Sequence, residues 1–497
     1  MESRRTFLLG MLAAGVPVRS AGAQGFGGGF EDAFGPRFGA RLNLRDLRLR
    51  RRRRGAGALE RLRHWNEIAI DASGFDHTPV APGERRVFGE QLGPCRSSRA
   101  MAIVHTAVFD AVNAIVGGYQ GYTGLRPAPV GTSLEAAIAQ AAHDTLAALF
   151  PSQRDDFEGL LGEDLREIRE GPGKANGIKL GRAAAAAMLA RRQHDGADHP
   201  EPRIGVDWRP GDGPGQWRQD PISQHPLAMG AHWGEVEPFV LQSGQQLRVP
   251  PPPPLTSRQY AAAFQEVQVR GGDGVVTPTV RTSDQTFVGT FWAYDGTPSL
   301  CAPPRLYNQI ATRIAEQRGT DTLELARLLA LVNVAMADAG IAIWESKYHY
   351  RFWRPVTGIR EADGNGATPR DRTFSPLGAP ASNLAGPNFT PPFPAYPSGH
   401  AGFGGALFQM LRNVYGTDQI PFTFVSDEFN GETLDNEGRP RPLVPRRFGS
   451  LSQAEEENGQ SRIYLGLHWA FDKTAGIAQG RHVADYVYRR AFVRLRH

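Results

Sequence analysis

Residues 133–150, SLEAAIAQAAHDTLAALF, decide the fold class. Ser133 is an N-cap candidate, the interior is built from Ala and Leu, both strong helix formers, and the run stops before Pro151, which cannot continue a helix. The same signature recurs outward along the chain at 99–115, 179–192, 257–269, 305–316, 322–348, 400–415 and 462–490. Alternating strand patterns are scarce and no repeat of fixed period occurs. The expectation is an all-α body with long connecting loops.

The 497 residues leave ample room for a buried core, and 58 Gly with 38 Pro make the chain loop-rich without the composition of a disordered one. Five consecutive prolines at 250–254 form a stiff connector. They divide the reading into an N-terminal helical lobe, 61–255, and a C-terminal helical lobe, 256–497. A second long loop, 360–397, is rich in Gly, Pro, Asn and Asp and leads into a further helix.

The formal charge of +5 is unevenly placed: residues 1–54 hold twelve arginines against four acidic residues, a balance of +8, which leaves −3 for the rest. A slightly acidic body has no basic footprint for DNA or RNA, so no nucleic-acid partner is expected. Residues 1–23 combine Arg4-Arg5, a short apolar stretch and a small-residue site at Ala21-Gly22-Ala23, the pattern of a twin-arginine export signal. A periplasmic or secreted location follows from that pattern. Residues 24–60, Gly-rich and then Arg-rich, read as a linker that cannot bury enough apolar surface to order itself. The apolar run 325–344 carries Arg327, Asn333 and Asp338 and reads as a buried helix, so no stable membrane insertion is expected.

Three short blocks carry chemistry. Lys347 and Arg354, seven positions apart at the end of the long apolar helix, can share a face while helical geometry lasts. Pro397-Ser398-Gly399-His400 closes a loop and opens a helix whose free backbone N–H groups make an anion nest. Arg462, His468 and Asp472 sit on the last helical stretch, where Asp472 four residues beyond His468 can hold the imidazole. Each block alone is weak, since surface cations, caps and core histidines are common. Together they supply what a tetrahedral oxyanion requires: three cations, backbone donors, one histidine to bind the central atom and one to move protons.

These blocks, in this order and spacing, resemble the signature shared by vanadium-dependent haloperoxidases and the type-2 phosphatidic-acid-phosphatase superfamily. The likeness to fungal-type vanadium chloroperoxidases extends to the Phe291-Trp292-Ala293-Tyr294-Asp295-Gly296 stretch and to 303–309, 330–344 and 391–410. It implies a fold of two four-helix-bundle lobes and vanadate as cofactor. His468 would coordinate vanadium directly, while Lys347, Arg354, Ser398, Gly399 and Arg462 would hydrogen-bond the vanadate oxygens. His400 would be the acid–base group as hydrogen peroxide enters, and Lys347 would polarise the peroxide during attack by halide. Asp295 would pair with an active-site arginine, and Trp344 and Phe393 would lie near the halide approach. The implied products are hypohalous acids from bromide, iodide and chloride, consumed by small organic acceptors.

The rival reading on the same residues is an acid phosphatase, with His468 as phosphoryl acceptor and His400 protonating the leaving group. Two cysteines, Cys95 and Cys301, exclude a disulfide scaffold or a Cys-rich metal site, and either a pair or two free thiols fits them. His105 and His143, on Ala-rich helices, read as ordinary helix residues.

Overall fold

A computed structural model describes residues 57–78, 80, 83–295, 302–378, 390–433 and 439–495. The expected export signal, most of the linker, and Cys301 with any pairing it makes lie outside them. The segment before the proline run contributes α1 (Ala58–Asp76), α2 (Gly93–Val116), α3 (Leu134–Leu149), α4 (Arg154–Glu167) and α5 (Pro172–Arg192). The segment after it contributes α6 (Arg258–Arg270), α7 (Ser283–Phe291), α8 (Pro304–Gln317), α9 (Thr322–Tyr350), the short α10 (Pro355–Arg360), α11 (Gly399–Tyr415), α12 (Leu451–Tyr464) and α13 (Ala470–Arg490). Two three-residue strands, β1 (Phe422–Phe424) and β2 (Arg446–Phe448), pair antiparallel with Phe422 opposite Phe448. The all-α expectation holds.

Local chemistry explains the helix ends. Ser133 caps α3 by accepting from the Ala136 N–H, and Asp321 caps α9 by accepting from the Glu324 N–H at 2.9 Å. α9 is the axle of the fold, packed against α2, α8, α11 and α13. Its apolar run from Leu325 to Trp344 is buried throughout, and the polar residues within it are satisfied. Asn333 exchanges side-chain hydrogen bonds with Asn308, and Asp338 accepts the N–H groups of Phe239, Val240 and Leu241 at 2.6–2.9 Å. α2 and α9 both have the length and apolarity of a membrane span. Most of the α2 window and all of the α9 window are covered by the protein itself.

Two expectations are corrected here. α9 ends at Tyr350 with Arg351 in the left-handed region (φ 49°), so Lys347 and Arg354 do not share a helix face. The chain reverses and places Arg354 at the N-cap of α10. The stretch 462–490 is likewise not one helix: α12 stops at Tyr464, Gly466 turns with φ 75°, and α13 begins at Ala470. Arg462 therefore lies in the last turn of α12, His468 in the connection, and Asp472 in the first turn of α13.

Small residues bring these pieces together. α11 and α13 approach so closely that a Cβ on Gly480 would lie 2.0 Å from the Gly402 carbonyl oxygen, and one on Gly476 would lie 2.5 Å from that of Ser398. This contact carries the N-terminus of α11 against the N-terminus of α13. A second aromatic cluster, separate from the main core, holds Tyr260, Phe264, Trp353, Tyr396, Trp469 and Phe471. Trp353 and Trp469 immediately flank Arg354 and His468, and the Trp469 indole N–H donates to the Trp353 carbonyl at 3.0 Å. The two loops are thus locked to each other by groups that perform no chemistry themselves.

Candidate active site

The structure brings all three blocks into one buried centre. Lys347 is fully buried in the last turn of α9 and donates two of its three ammonium N–H groups to the carbonyls of Pro394 and Ala395, at 2.8 and 2.9 Å. Burial, then repulsion from Arg354, holds its pKa well below the usual lysine value. Arg354 donates Nε to the Phe393 carbonyl and Nη1 to the Leu467 carbonyl, both at 2.9 Å, and Nη1 also reaches His468 Nε2 at 2.9 Å. Its Nη2 has no hydrogen-bond partner among the described residues. Arg462 gives Nη2 to Asp295, while its Nε and Nη1 have no partner among the described residues.

His468 is oriented by its other ring nitrogen. Nδ1–H donates to Asp472 Oδ2 at 2.9 Å, an oxygen that also accepts the Trp469 N–H at 3.0 Å. That bond leaves the lone pair on Nε2, the nitrogen facing Arg354. Burial first, then Arg354, Lys347 and Arg462, push the His468 pKa well below the ordinary value, so the ring is neutral. The Asp472 carboxyl is raised to about 7 by burial, against the Trp469 backbone bond and the cations. The expected support of His468 by Asp472 is therefore formed across a helix N-terminus, since His468 precedes the N-cap of α13.

Ser398 is the N-cap of α11; its own N–H donates to the Asp472 carbonyl at 3.0 Å, and its hydroxyl accepts from Ala401 N–H at 3.5 Å. Gly399 is the first residue of the helix, and a Cβ there would meet the Trp344 ring at 3.2 Å. His400 donates Nε2–H to the Ala293 carbonyl at 2.8 Å, leaving Nδ1 unprotonated. Burial and Arg462 hold its pKa well below the ordinary value. Its backbone carbonyl is gripped by Tyr307 Oη and Asn458 Nδ2, at 2.9 and 3.0 Å. Asp295 lies at 3.8 Å from His400 Nε2, and burial raises its carboxyl although Arg462 opposes the shift.

A cavity partly open to solvent meets this centre at Asp295, Gly399, His400, Arg462 and His468. Its wall is apolar: Trp344 and Phe393 pack at 4.8 Å between ring centroids, joined by Phe403, Pro391 and Pro392. The Lys347 ammonium stands 5.2 Å from the Phe393 ring centroid and 5.5 Å from that of Trp344. Sequence reasoning missed the remaining wall, His77, Gly93, Pro94 and Met229, which comes from the first half of the chain. No local signal marks these residues, because long-range contacts bring them near the centre: α2, which opens at Gly93 and Pro94, packs on α9, His77 Nε2 accepts from the Gly93 N–H at 2.8 Å, and Met229 is held in its loop by Pro392 and Trp344.

Three cations are buried beside two carboxylates, and three of their guanidinium nitrogens lack hydrogen-bond partners among the described residues, a donor set suited to an anion. The fold and site together define a helical-bundle protein with a buried, cation-lined polar centre at the edge of an apolar cavity. Residues 327–496 match the family profile of the VCPO second helical-bundle domain. The vanadium chloroperoxidase of Curvularia inaequalis is 32% identical over 83% of this chain and 78% of its own. A crystal structure of a bacterial vanadium-dependent iodoperoxidase superposes with a TM-score of 0.66 at 26% identity, covering 86% of this chain and 96% of that one. The holo form of a bacterial vanadium-dependent chloroperoxidase shares the fold, with a TM-score of 0.62 at 17% identity over 83% and 95% of the two chains. The chain belongs to the vanadium haloperoxidase family.

Proposed function

We propose that this protein is a vanadate-dependent haloperoxidase that uses hydrogen peroxide to oxidise bromide, iodide and chloride to hypohalous acid, which small organic acceptors consume. The observation that carries the reading is the buried cage itself: Lys347, Arg354 and Arg462 around His468, with Arg354 Nη2 and Arg462 Nε and Nη1 lacking partners. A tetrahedral oxyanion fits this donor set, since it supplies the missing acceptors and countercharge at once. His468 Nε2 would hold the vanadium. Lys347, Arg354, Ser398, the Gly399 N–H and Arg462 would hold the oxygens.

When bound, vanadate supplies a Lewis-acidic centre at which peroxide becomes electrophilic. His468 carries its lone pair on Nε2, where Arg354 Nη1 donates to it, because its Nδ1–H is given to the Asp472 carboxylate. His400, kept neutral by burial and Arg462, is ready to accept a proton at Nδ1 from entering peroxide and to return it later. Lys347 keeps one N–H beyond its two carbonyl bonds and directs positive charge at the reacting oxygens. Trp344 and Phe393 exclude water from the halide's approach, which strengthens that charge. This dry, cationic wall supports chloride, the hardest of the three halides to oxidise, as a substrate.

Vanadium-free protein is expected to be inactive in peroxide-dependent bromination of a dye until orthovanadate is added, and phosphate is expected to compete. Full activity after exhaustive vanadium removal would overturn the reading. Hydrolysis of p-nitrophenyl phosphate, assayed in parallel, separates it from the phosphatase alternative. We further propose export by the twin-arginine route. Fractionation of cells carrying the natural chain and an Arg4→Lys/Arg5→Lys variant tests this, with cytoplasmic retention of the variant expected.

A further inference from the structure

Among the wall residues is a thioether that the mechanism does not use. Met229 is buried and lines the cavity beside Trp344, Pro392 and Phe393. Its backbone is fixed: the N–H donates to the Pro392 carbonyl at 2.9 Å, and its carbonyl accepts from the Trp344 indole at 3.2 Å and the Tyr348 hydroxyl at 2.8 Å. Its sulfur lies over Gly93, another wall residue, where an added Cβ would come within 2.9 Å of it. Met101, Met188, Met336 and Met410 are buried more completely and do not line the cavity.

A thioether is a strong nucleophile toward electrophilic halogen, and its oxidation converts an apolar side chain into a polar one. We propose that Met229 is a turnover-dependent sulfoxidation site, modified by hypohalous acid formed in the cavity, and that its oxidation slows the enzyme by wetting the Trp344–Phe393 wall. This rests on the haloperoxidase reading. A sulfur lone pair attacks the halogen, the O–halogen bond breaks to release hydroxide, and a halosulfonium forms. Water then forms the S–O bond as halide departs with the bonding pair. The sum is thioether plus hypohalous acid giving sulfoxide, halide and one proton, with sulfur oxidised by two electrons and halogen reduced by two.

The test is peptide mass spectrometry of vanadate-loaded enzyme after turnover with peroxide and bromide, with dye bromination followed in the same tubes. Met229 is expected to gain one oxygen well ahead of Met101, Met188, Met336 and Met410, and at least about fivefold more than under a matched dose of added hypobromite. Activity is expected to fall in step with that gain and to decline more slowly in Met229→Leu, whatever its initial rate. If dye bromination proceeds and Met229 stays unmodified, or oxygen goes to Trp344 instead, the inference is overturned while the function stands. Equal oxidation by added hypobromite would overturn the role of proximity. Absence of dye bromination would remove the function, and this inference with it.

Discussion

Arg305 and Arg354 are both deeply placed arginines, but their surroundings differ in kind. Arg305 pairs with Asp71 and Asp427, each at 2.7 Å, and donates to the Ile70 carbonyl; these carboxylates raise its pKa in spite of burial. Arg354 has two carbonyls and a neutral histidine for partners, one nitrogen with none, and a pKa lowered by burial. A charge neutralised within the fold ties helices together, as Arg305 does for α1, α8 and the loop at Asp427. A charge fixed only by carbonyls keeps its field for something that arrives later.

The largest test of that contrast is His468→Ala, which is expected to abolish stable vanadate binding and turnover together, measured by equilibrium dialysis and dye bromination. His400→Ala is expected to retain vanadate but lose roughly 10²–10⁴-fold in turnover, the usual cost of removing a proton-transfer group. Equal vanadate affinities in the two variants would contradict the separation of roles. Next come the two arginines themselves. Arg305→Met removes the cation shared by Asp71 and Asp427 and is expected to cost about 3 kcal/mol in denaturant unfolding, the low end for a broken buried pair because Asp427 keeps Gln309 and Asn430 as donors. Arg354→Met is expected to leave vanadium-free stability unchanged or higher while vanadate affinity falls. A large loss of stability in Arg354→Met would break the comparison.

How much of this was legible in the sequence depended on range. Ser398, Gly399 and His400 form a contiguous motif whose helix-opening role follows from local rules, and the structure places them at the start of α11. Pairing Lys347 with Arg354 depends on helical geometry lasting past the expected helix at 322–348, and pairing Arg462 with His468 on one helix over 462–490. The left-handed Arg351 and the turn at Gly466 break both helices, and the signals in the sequence are Gly466 and Pro355, which disfavours helical geometry at Arg354. The convergence survives because Trp353 and Trp469 clamp the two loops, a contact between residues 116 positions apart that no local pattern encodes. His77, Gly93 and Met229 were invisible for the same reason.

Smaller effects refine the picture. His105 is buried with its pKa held at about 3 by burial, against about 6.5 in an unfolded chain. The shift is downward, so the unfolded chain takes up the proton first. The contribution is full above pH 6.5 and is lost as pH falls toward 3. Between pH 6.5 and 5 this amounts to about 2 kcal/mol, expected as the difference in pH-dependence of unfolding between the natural chain and His105→Phe. An unchanged pH-dependence would refute the assignment. Phe393→His is expected to lower the chloride rate about tenfold more than the bromide rate, about 1.4 kcal/mol of selective barrier. An equal effect on both halides would count against the dry wall.

Vanadate is expected to complete the guanidinium nitrogens of Arg354 and Arg462 that lack partners among the described residues, and titration of vanadium-free protein with orthovanadate tests this most directly. Bound vanadium and bromination rate are followed together, with and without phosphate. The expected result is one vanadium per chain, activity rising in proportion to occupancy, and displacement of both by phosphate. Activity that does not track bound vanadium, or binding that persists unchanged in Arg354→Met and His468→Ala, would contradict the account.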